Sequence, residues 1–426
     1  MNGISLKNGF GAQTSKHLVS PAQLDDPYAI YARLRQQEPV SYNAEFDAWL
    51  VSRHEDVVKV LKAPDVFSSS GVLKVKRELP PEVRAVLRKG IAYFPTLIDN
   101  DPPGHARFRG LVAKAFAPQQ VLTLKTRICA TADALIDGFL GGGAVDLMEH
   151  FAVPLPIFAI ADILGLPRQD VHDLKRWCDD WMALQSGTAP LDNLIACARN
   201  YLEMQTYFIQ KVEERTLVAE EDLISSLVHL RGDREAPLNR DELVRLLMSL
   251  LVAGHETTTH AIGNTLVLLL CNPTVLERLR QHPGLAVKCF EEGLRMDPPV
   301  QSLFRRVTRP VTICGVKIPA GARVMLLFGS AGRDELRYDR ADHFDVERAT
   351  NLKHLAFGKG IHFCLGALMA RLEGAIALER LSRRLRGIEL DKERKLERVD
   401  HFFLRGYKRL PVTWDTTGLK SPARKL

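Results

Sequence analysis

The chain is short of the features that sort many proteins at once. It has seven cysteines, an odd number, and no two of them stand in a CxxC pair. That spacing excludes a zinc cluster. Most of Cys129, Cys178, Cys197, Cys271, Cys289, Cys314 and Cys364 fall inside apolar helical or strand patterns. They read as reduced thiols of a cytosolic protein, not as a disulfide framework. The first twenty residues, MNGISLKNGFGAQTSKHLVS, are polar and lack the apolar centre of a secretory signal. No run reaches the roughly 18 apolar residues of a spanning helix. The nearest, FAVPLPIFAIADILGLP at 151–167, is interrupted by Pro154, Pro156 and Asp162. A cytoplasmic location without a membrane anchor is expected. Charge of one sign is scarce too: the net is +7, spread along the chain rather than gathered in a basic tail. Nucleic-acid binding is not expected, and an acidic protein docking on a basic face accounts for the excess as well.

What is present is an ordinary globular composition, 46% hydrophobic and 26% charged. The 426 residues are enough to bury a large core and a closed pocket. Residues 1–20 are expected to be disordered, 21–415 to form one domain and 416–426 a tail. DPYAIYARLRQQEPV predicts a short helix stopped by Pro39, PVSYNAEFDAWLVS a hairpin, and RHEDVVKVLKAP a second short helix. From about Phe67 to Asn100 the chain is rich in serine, proline and charge, which predicts a long, partly helical loop of the kind that often forms a lid. After DPPG the pattern turns helical. Its longest segment, 239–273, is apolar around nearly its whole circumference and should run through the core. Strand-like stretches return in PVTICGVKIPAGARVMLLFGS and HFFLRGYKRLPVTW. The expected fold is mainly α with small β-sheets, a helix-rich lobe beside a smaller β-rich one.

Four segments invite chemistry. AGHETT, from Ala253, places Gly254, Glu256 and threonines inside an apolar helix. Gly254 costs a helix interior about 1 kcal/mol relative to alanine, and a buried Glu256 is expensive without a partner. Either the glycine serves packing and the threonines bond back to the preceding turn, or the helix opens locally, a small molecule sits there, and Glu256 and Thr257 manage protons. CFEEGLRMDPPV sets Glu292 and Arg295 three apart on one helix face, as a solvated or a buried pair. DPPGHARFRG puts His105 and Arg109 on one face near a helix start, as an exposed basic face or as a clamp on a carboxylate or phosphate. In HLAFGKGIHFCLGALMARLE, Cys364 precedes a stripe of Leu365, Leu368, Met369, Leu372 and Ile376, so a buried helix should begin at or just after it. The dipole and free amides there favour a thiolate. Gly358, Gly360 and Gly366 let the backbone fold close around the sulfur and let a flat group approach. Core filler, a nucleophile with His362 as base, and a metal ligand all remain open.

These four segments, in this order, resemble the cytochrome P450 family of haem–thiolate monooxygenases, over about residues 20–415. FGKGIHFCLG (357–366) is similar to its haem-binding loop, EGLR (292–295) to its buried Glu–Arg pair, AGHETT to its oxygen-activating helix, and HARFR to a bacterial propionate-binding segment. The resemblance implies haem b (iron protoporphyrin IX) with Cys364 as the proximal thiolate, Phe357 near the sulfur, and Gly358 and Gly366 in the haem loop. His105, Arg109, Arg305 and His362 would hold the propionates, and Glu292 and Arg295 would brace the structure behind the haem. Thr257 would hydrogen-bond the oxygen, Glu256 would relay protons, and Ala253 and Gly254 would leave room beside the iron. GRDE (332–335) departs from the family's frequent Asn–Arg–Asp–Pro, and Glu256 stands where Asp is also common.

The implied reaction inserts one atom of O2 into a small organic molecule, by hydroxylation, epoxidation or O-dealkylation. No flavin or iron–sulfur motif is visible, so electrons are expected from a separate ferredoxin and its reductase, with Lys359, Arg107 and Lys114 as docking candidates. By position, Tyr93, Phe94, Leu97, Ser249, Val252, Ala253, Val300, Gln301, Phe402 and Phe403 are pocket candidates, which predicts a mainly apolar substrate. A different haem–thiolate reaction, or a non-catalytic haem sensor, would not need the Glu256–Thr257 pair.

Overall fold

The computed structural model describes residues 25–72, 79–186, 189–230, 237–349, 353–401 and 403–417. The expected disordered segment 1–20 and most of the tail 416–426 lie outside them.

The helix Arg240–Leu270 runs through the centre, as its all-round apolarity predicts. A capping box starts it: the Asn239 side chain accepts from the Glu242 amide at 2.9 Å, and the Glu242 carboxylate accepts from the Asn239 amide at 3.0 Å. Pro273 cannot continue the ladder and opens the next helix instead, Pro273–Gln281. Helices Pro154–Leu164, Val171–Ser186, Leu191–Leu217, Ala286–Met296 and Ala367–Arg384 pack around the central one. Together they bury one continuous apolar core. Among the described residues no single helix is long and apolar enough to cross a membrane.

The smaller lobe is a five-stranded sheet in the order Val40–Asn43, Ala48–Val51, Arg323–Leu327, Ser302–Val307, Phe67–Ser68. The first two strands are the expected hairpin, with Val40 opposite Val51. Ala48–Val51 runs parallel to Arg323–Leu327, and the remaining pairings are antiparallel. Sequence reasoning assigned 67–100 to a loop with helical parts. The structure keeps the helix, Pro81–Leu87, but makes Phe67–Ser68 an edge strand opposite Val307 and Arg306. Two residues are too few to show an alternation in sequence.

Glu292 and Arg295 lie on the helix Ala286–Met296, and both side chains are without solvent contact. Arg295 Nε and Nη2 each donate to the Glu292 carboxylate at 2.7 Å. Its remaining donors reach the carbonyls of Gly332 and Ala341 at 2.7 Å and of His343 at 3.1 Å. Glu292 also accepts from the Asp345 amide at 2.9 Å and from Arg348 Nε at 3.2 Å. Of the two readings of the spacing, the buried one holds. Removing one partner leaves the other charge buried and alone. Arg295→Leu should therefore lower the unfolding free energy by about 3–5 kcal/mol. Denaturant titration checks this, and an unchanged midpoint would refute the burial.

Candidate active site

The thiol loop is a closed turn, and the expected helix begins just after it. The helix is Ala367–Arg384 with Gly366 as its N-cap, so Cys364 stands ahead of its first turn. The Cys364 amide donates to the Phe357 carbonyl at 2.9 Å and closes the loop. Gly358 and Gly360 take φ of 67° and 74°, the left-handed region that favours glycine. At Gly360 a Cβ would also stand 2.4 Å from the Leu61 carbonyl oxygen, so the loop rests on the end of the helix His54–Leu61. The apolar stripe is narrower than expected: Met369 and Ile376 are buried, but Leu368 is exposed. Burial pushes the Cys364 thiol up, and the Gly366 amide and the charges of Arg109 and Arg371 offset part of that.

Cys364 lines a cavity between the two lobes. The central helix offers it Ser249, Ala253, Gly254 and Thr257, and Leu97 and Val300 close other sides. Ala253 is accessible in an otherwise buried helix because it faces this space. Gly254 has a second reason to be small: a Cβ there would come within 3.1 Å of Ile160. The helix does not open at AGHETT. Thr257 Oγ1 donates to the Ala253 carbonyl at 3.0 Å and the ladder is unbroken.

Several pocket candidates stand elsewhere. Tyr93 is half-exposed, donates its hydroxyl to Asp99 and lies under the Arg245 guanidinium, 4.6 Å from its ring centre. Phe94 walls a separate surface cleft with Arg107 and Glu242. Val252 is buried in the core cluster and is not on the cavity wall. The Gln301 amide is spent on the Pro298 carbonyl at 2.8 Å and the Tyr28 hydroxyl at 3.4 Å. Phe403 packs edge-on against Phe304 at 5.6 Å. Phe402 lies outside the described residues. Glu256 also faces away from the cavity. Helical periodicity separates Val252 from Ala253 only once the cavity face is known, and a loop has no period to read.

One edge of the cavity is cationic. His105, Arg109, Arg305 and His362 all line it. Arg305, on the strand Ser302–Val307, is buried and donates to its neighbour's carbonyl, that of Phe304, at 2.7 Å. Burial lowers its pKa to about 10 even though the charge of Asp101 works the other way. Among the described residues neither Arg305 nor Arg109 has a salt-bridge partner, an expensive state for a buried guanidinium. The His105 and His362 rings lie 4.2 Å apart. Burial lowers both, with Arg109 adding to the shift at His105 and Arg305, His105 and Arg109 adding to it at His362. His362 Nε2 is 2.8 Å from Ser69 Oγ, and Asp101 accepts from the Ser69 amide at 2.7 Å. Sequence reasoning missed Ser69 and Asp101, which carry no motif of their own.

These residues fit a flat group with two carboxylates. Two guanidiniums without a salt-bridge partner among the described residues face the cavity, and a Cβ at Gly366 would meet nothing within 4 Å. A thiol stands on the same wall. Haem has the complementary chemistry: two propionates and an iron with an axial position for sulfur.

Behind the cavity Glu256 sits in a polar cluster that its sequence neighbourhood only half reveals. His255 Nδ1 is 3.0 Å from Glu256 Oε1, Lys175 Nζ is 3.9 Å from it, and His260 Nε2 is 3.8 Å from Oε2. Burial raises Glu256, but His255 beside it and the charges of Lys175 and His260 outweigh that and hold the carboxyl below its ordinary range. Lys175, on the helix Val171–Ser186, is paired with the more exposed Asp179.

The cytochrome P450 family model matches residues 183–283 and 284–412. Cytochrome P450 107B1 of Saccharopolyspora erythraea is 36% identical over 396 residues, spanning 91% of this chain and 95% of that protein. CYP109E1 of Bacillus megaterium, solved with corticosterone, is 32% identical with a TM-score of 0.81, covering 92% of this chain and 99% of that one. An intact type IV self-sufficient cytochrome P450 monooxygenase aligns with a TM-score of 0.91 at 29% identity, over 96% of this chain but 54% of that one. The chain belongs to the cytochrome P450 family. It is thus a haem–thiolate monooxygenase, an oxidoreductase that takes electrons from redox partners and acts on a small organic substrate.

The buried histidines give the cluster a pH limit. Burial brings His260 from 6.5 to about 4, with Glu256 opposing and His255, Lys175 and His401 adding to the shift. His401 falls to about 4 as well, again by burial. Between pH 6.5 and 4 the unfolded chain takes up protons that the folded chain refuses. Stability is therefore full above about pH 6.5 and falls as the pH drops toward about 4. His260→Leu should remove one share of that slope, on the order of 3 kcal/mol across the window. Unfolding midpoints at several pH values check this; equal slopes in the variant and the parent would refute it.

Proposed function

We propose that the chain binds haem b with Cys364 as axial thiolate and inserts one oxygen atom from O2 into a mainly apolar substrate, by hydroxylation, epoxidation or O-dealkylation. One observation carries this reading: Cys364 and Ala253, Gly254 and Thr257 of the central helix wall the same cavity, at whose edge Arg109 and Arg305 have no salt-bridge partner among the described residues. Haem, when bound, supplies the activation of oxygen and its transfer, and a thiolate ligand favours O–O cleavage. Arg109 and Arg305 would hold the propionates, with neutral His105 and His362 donating beside them. Phe357, Gly358 and Gly366 would form the wall around the sulfur. Thr257 keeps a proton at Oγ1. To donate into the cavity it has only to leave the Ala253 carbonyl, a rotation about χ1. Glu256, held ionised near Lys175, would relay protons from the solvent that Asp179, the partner of Lys175, reaches.

Leu97, Ile98, Ile163, Leu250, Val300 and Leu303 make the cavity apolar. The Ser249 hydroxyl already donates to the Arg245 carbonyl at 2.8 Å, so little polar capacity is left for a substrate. The relative solved with corticosterone supports a rigid, apolar, polycyclic molecule. We place the enzyme in the cytoplasm as one domain spanning 21–415, with a ferredoxin and its reductase as donors. Arg107 is tied to Glu242 by contacts of 2.7 and 2.9 Å, which leaves Lys114 and Lys359 as the exposed docking candidates.

Two outcomes are expected. Reduced holoprotein with carbon monoxide should show the long-wavelength Soret band of thiolate ligation, and Cys364→Ala should lose it; a variant that kept the band would sink the ligand assignment. Thr257→Ala should keep haem but release more of the consumed oxygen as peroxide, by about tenfold or more if it loses a proton-transfer group. Unchanged coupling of oxygen to product would count against that role. A panel of steroids and aromatic compounds, read by the low-to-high-spin shift, tests the substrate class.

A further inference from the structure

Glu291 is buried to 1% exposure beside Glu292, yet the two carboxylates face different segments. Glu292 holds the stretch 332–348 through Arg295 and Arg348. Glu291 holds the stretch on either side of the thiol. Arg371 Nε donates to Glu291 Oε1 at 2.5 Å and its Nη2 to Oε2 at 3.2 Å. His354 Nε2 lies 3.1 Å from Oε2. His354 Nδ1 accepts from the Ala356 amide at 3.1 Å, so that nitrogen carries no proton. The proton is then on Nε2, and His354 donates to Glu291.

Both partners bear on one ring. The Arg371 guanidinium lies over Phe357 at 4.5 Å from its centre, and the His354 ring is 5.7 Å from it. Phe357 lines the cavity, and its carbonyl accepts the Cys364 amide at 2.9 Å. A path of direct contacts thus runs from Glu291 through Arg371 to Phe357 and on to the backbone of Cys364. Burial raises the Glu291 carboxyl, but the hydrogen bonds from His354 and Arg371 more than offset it and keep it ionised. A charge-assisted, two-point hold on a planar guanidinium fixes its orientation as well as its place.

We propose that Glu291 is a positioning residue for the thiolate ligand: through Arg371 and His354 it fixes Phe357, and so how firmly the loop presents the Cys364 sulfur. This rests on the reading of Cys364 as the axial ligand. Glu291→Gln keeps the shape and removes the charge. Arg371 then loses its ionic anchor, and Phe357 loses the plane stacked on it.

The test compares holoenzymes of the parent, Glu291→Gln, Glu291→Asp and Asp222→Asn. Asp222 accepts from buried Arg215 at 2.6 Å and is not on the cavity wall, so it controls for general loss of stability. Two quantities are followed, the thermal midpoint and the half-time over which the thiolate-type carbon monoxide band decays. Both Glu291→Gln and Asp222→Asn should lower the midpoint. Only Glu291→Gln should shorten the half-time, by about tenfold for one lost charged hydrogen bond. Glu291→Asp should recover part of it. Should Glu291→Gln fail to fold, Arg371→Lys, which keeps the charge and loses the stack, should shorten the half-time in its place. A band as durable in Glu291→Gln as in the parent, or one lost as fast in Asp222→Asn, overturns the proposal. A parent protein that never shows the band sinks the ligand reading itself, and the positioning role with it.

Discussion

The contact between Glu292 and Arg295 fixes the course of the stretch 332–348. The stretch 332–349 contains no regular helix or strand among its described residues. Its carbonyls need donors, and a single guanidinium supplies three of them. Such a pair gains little net stability over apolar side chains of the same size, because both ions give up water. What it contributes is uniqueness. Five donors in a rigid plane accept one arrangement of the chain around them.

Charge is distributed unevenly around the cavity. One edge carries Arg109 and Arg305, with Asp101 as the acid that opposes them. The opposite flank keeps its carboxylate, Glu256, behind the wall with Lys175 and histidines. Between them the lining is mainly aliphatic and aromatic, with Ser249, Thr257, Thr258 and Glu373 among its few polar members. An anionic group is drawn to one end of this space, and an apolar one is left the middle. The active site is therefore partitioned before anything binds, and the partition is built from both lobes: Arg305 stands on a strand of the sheet and Arg109 on a helix.

Much of this was legible in the sequence because it was periodic or crowded into motifs. The central helix announced itself by apolar residues on every side, and its ends fell within a few residues of expectation. Glu292, Arg295, Cys364, His105 and Arg109 were found because each sits in a short pattern with its own physical reason. The errors came from direction. Val252 and Ala253 are neighbours that face a core and a cavity. Gln301, chosen for its amide, spends that amide within the fold. The helix expected at or just after Cys364 does begin there, at Ala367 behind the Gly366 cap. Lys175 was invisible because only folding brings it to Glu256. Glu291 and His354 stood in the stretches already singled out, but a carboxylate's partner is a property of space, not of spacing.

The Arg245 side chain leads somewhere less obvious. It rises from the central helix, gives one hydrogen bond to the Tyr201 hydroxyl at 2.7 Å, and lies between the rings of Tyr93 and Trp181 at 4.6 and 4.8 Å. Tyr93 belongs to the same loop as Leu97 and Ile98, which wall the cavity. The loop is thus clipped to the helix by a cation resting on an aromatic face. The apolar wall formed by Leu97 and Ile98 is thereby registered to the same helix that carries Ala253 and Thr257, so both sides of the cavity share one anchor.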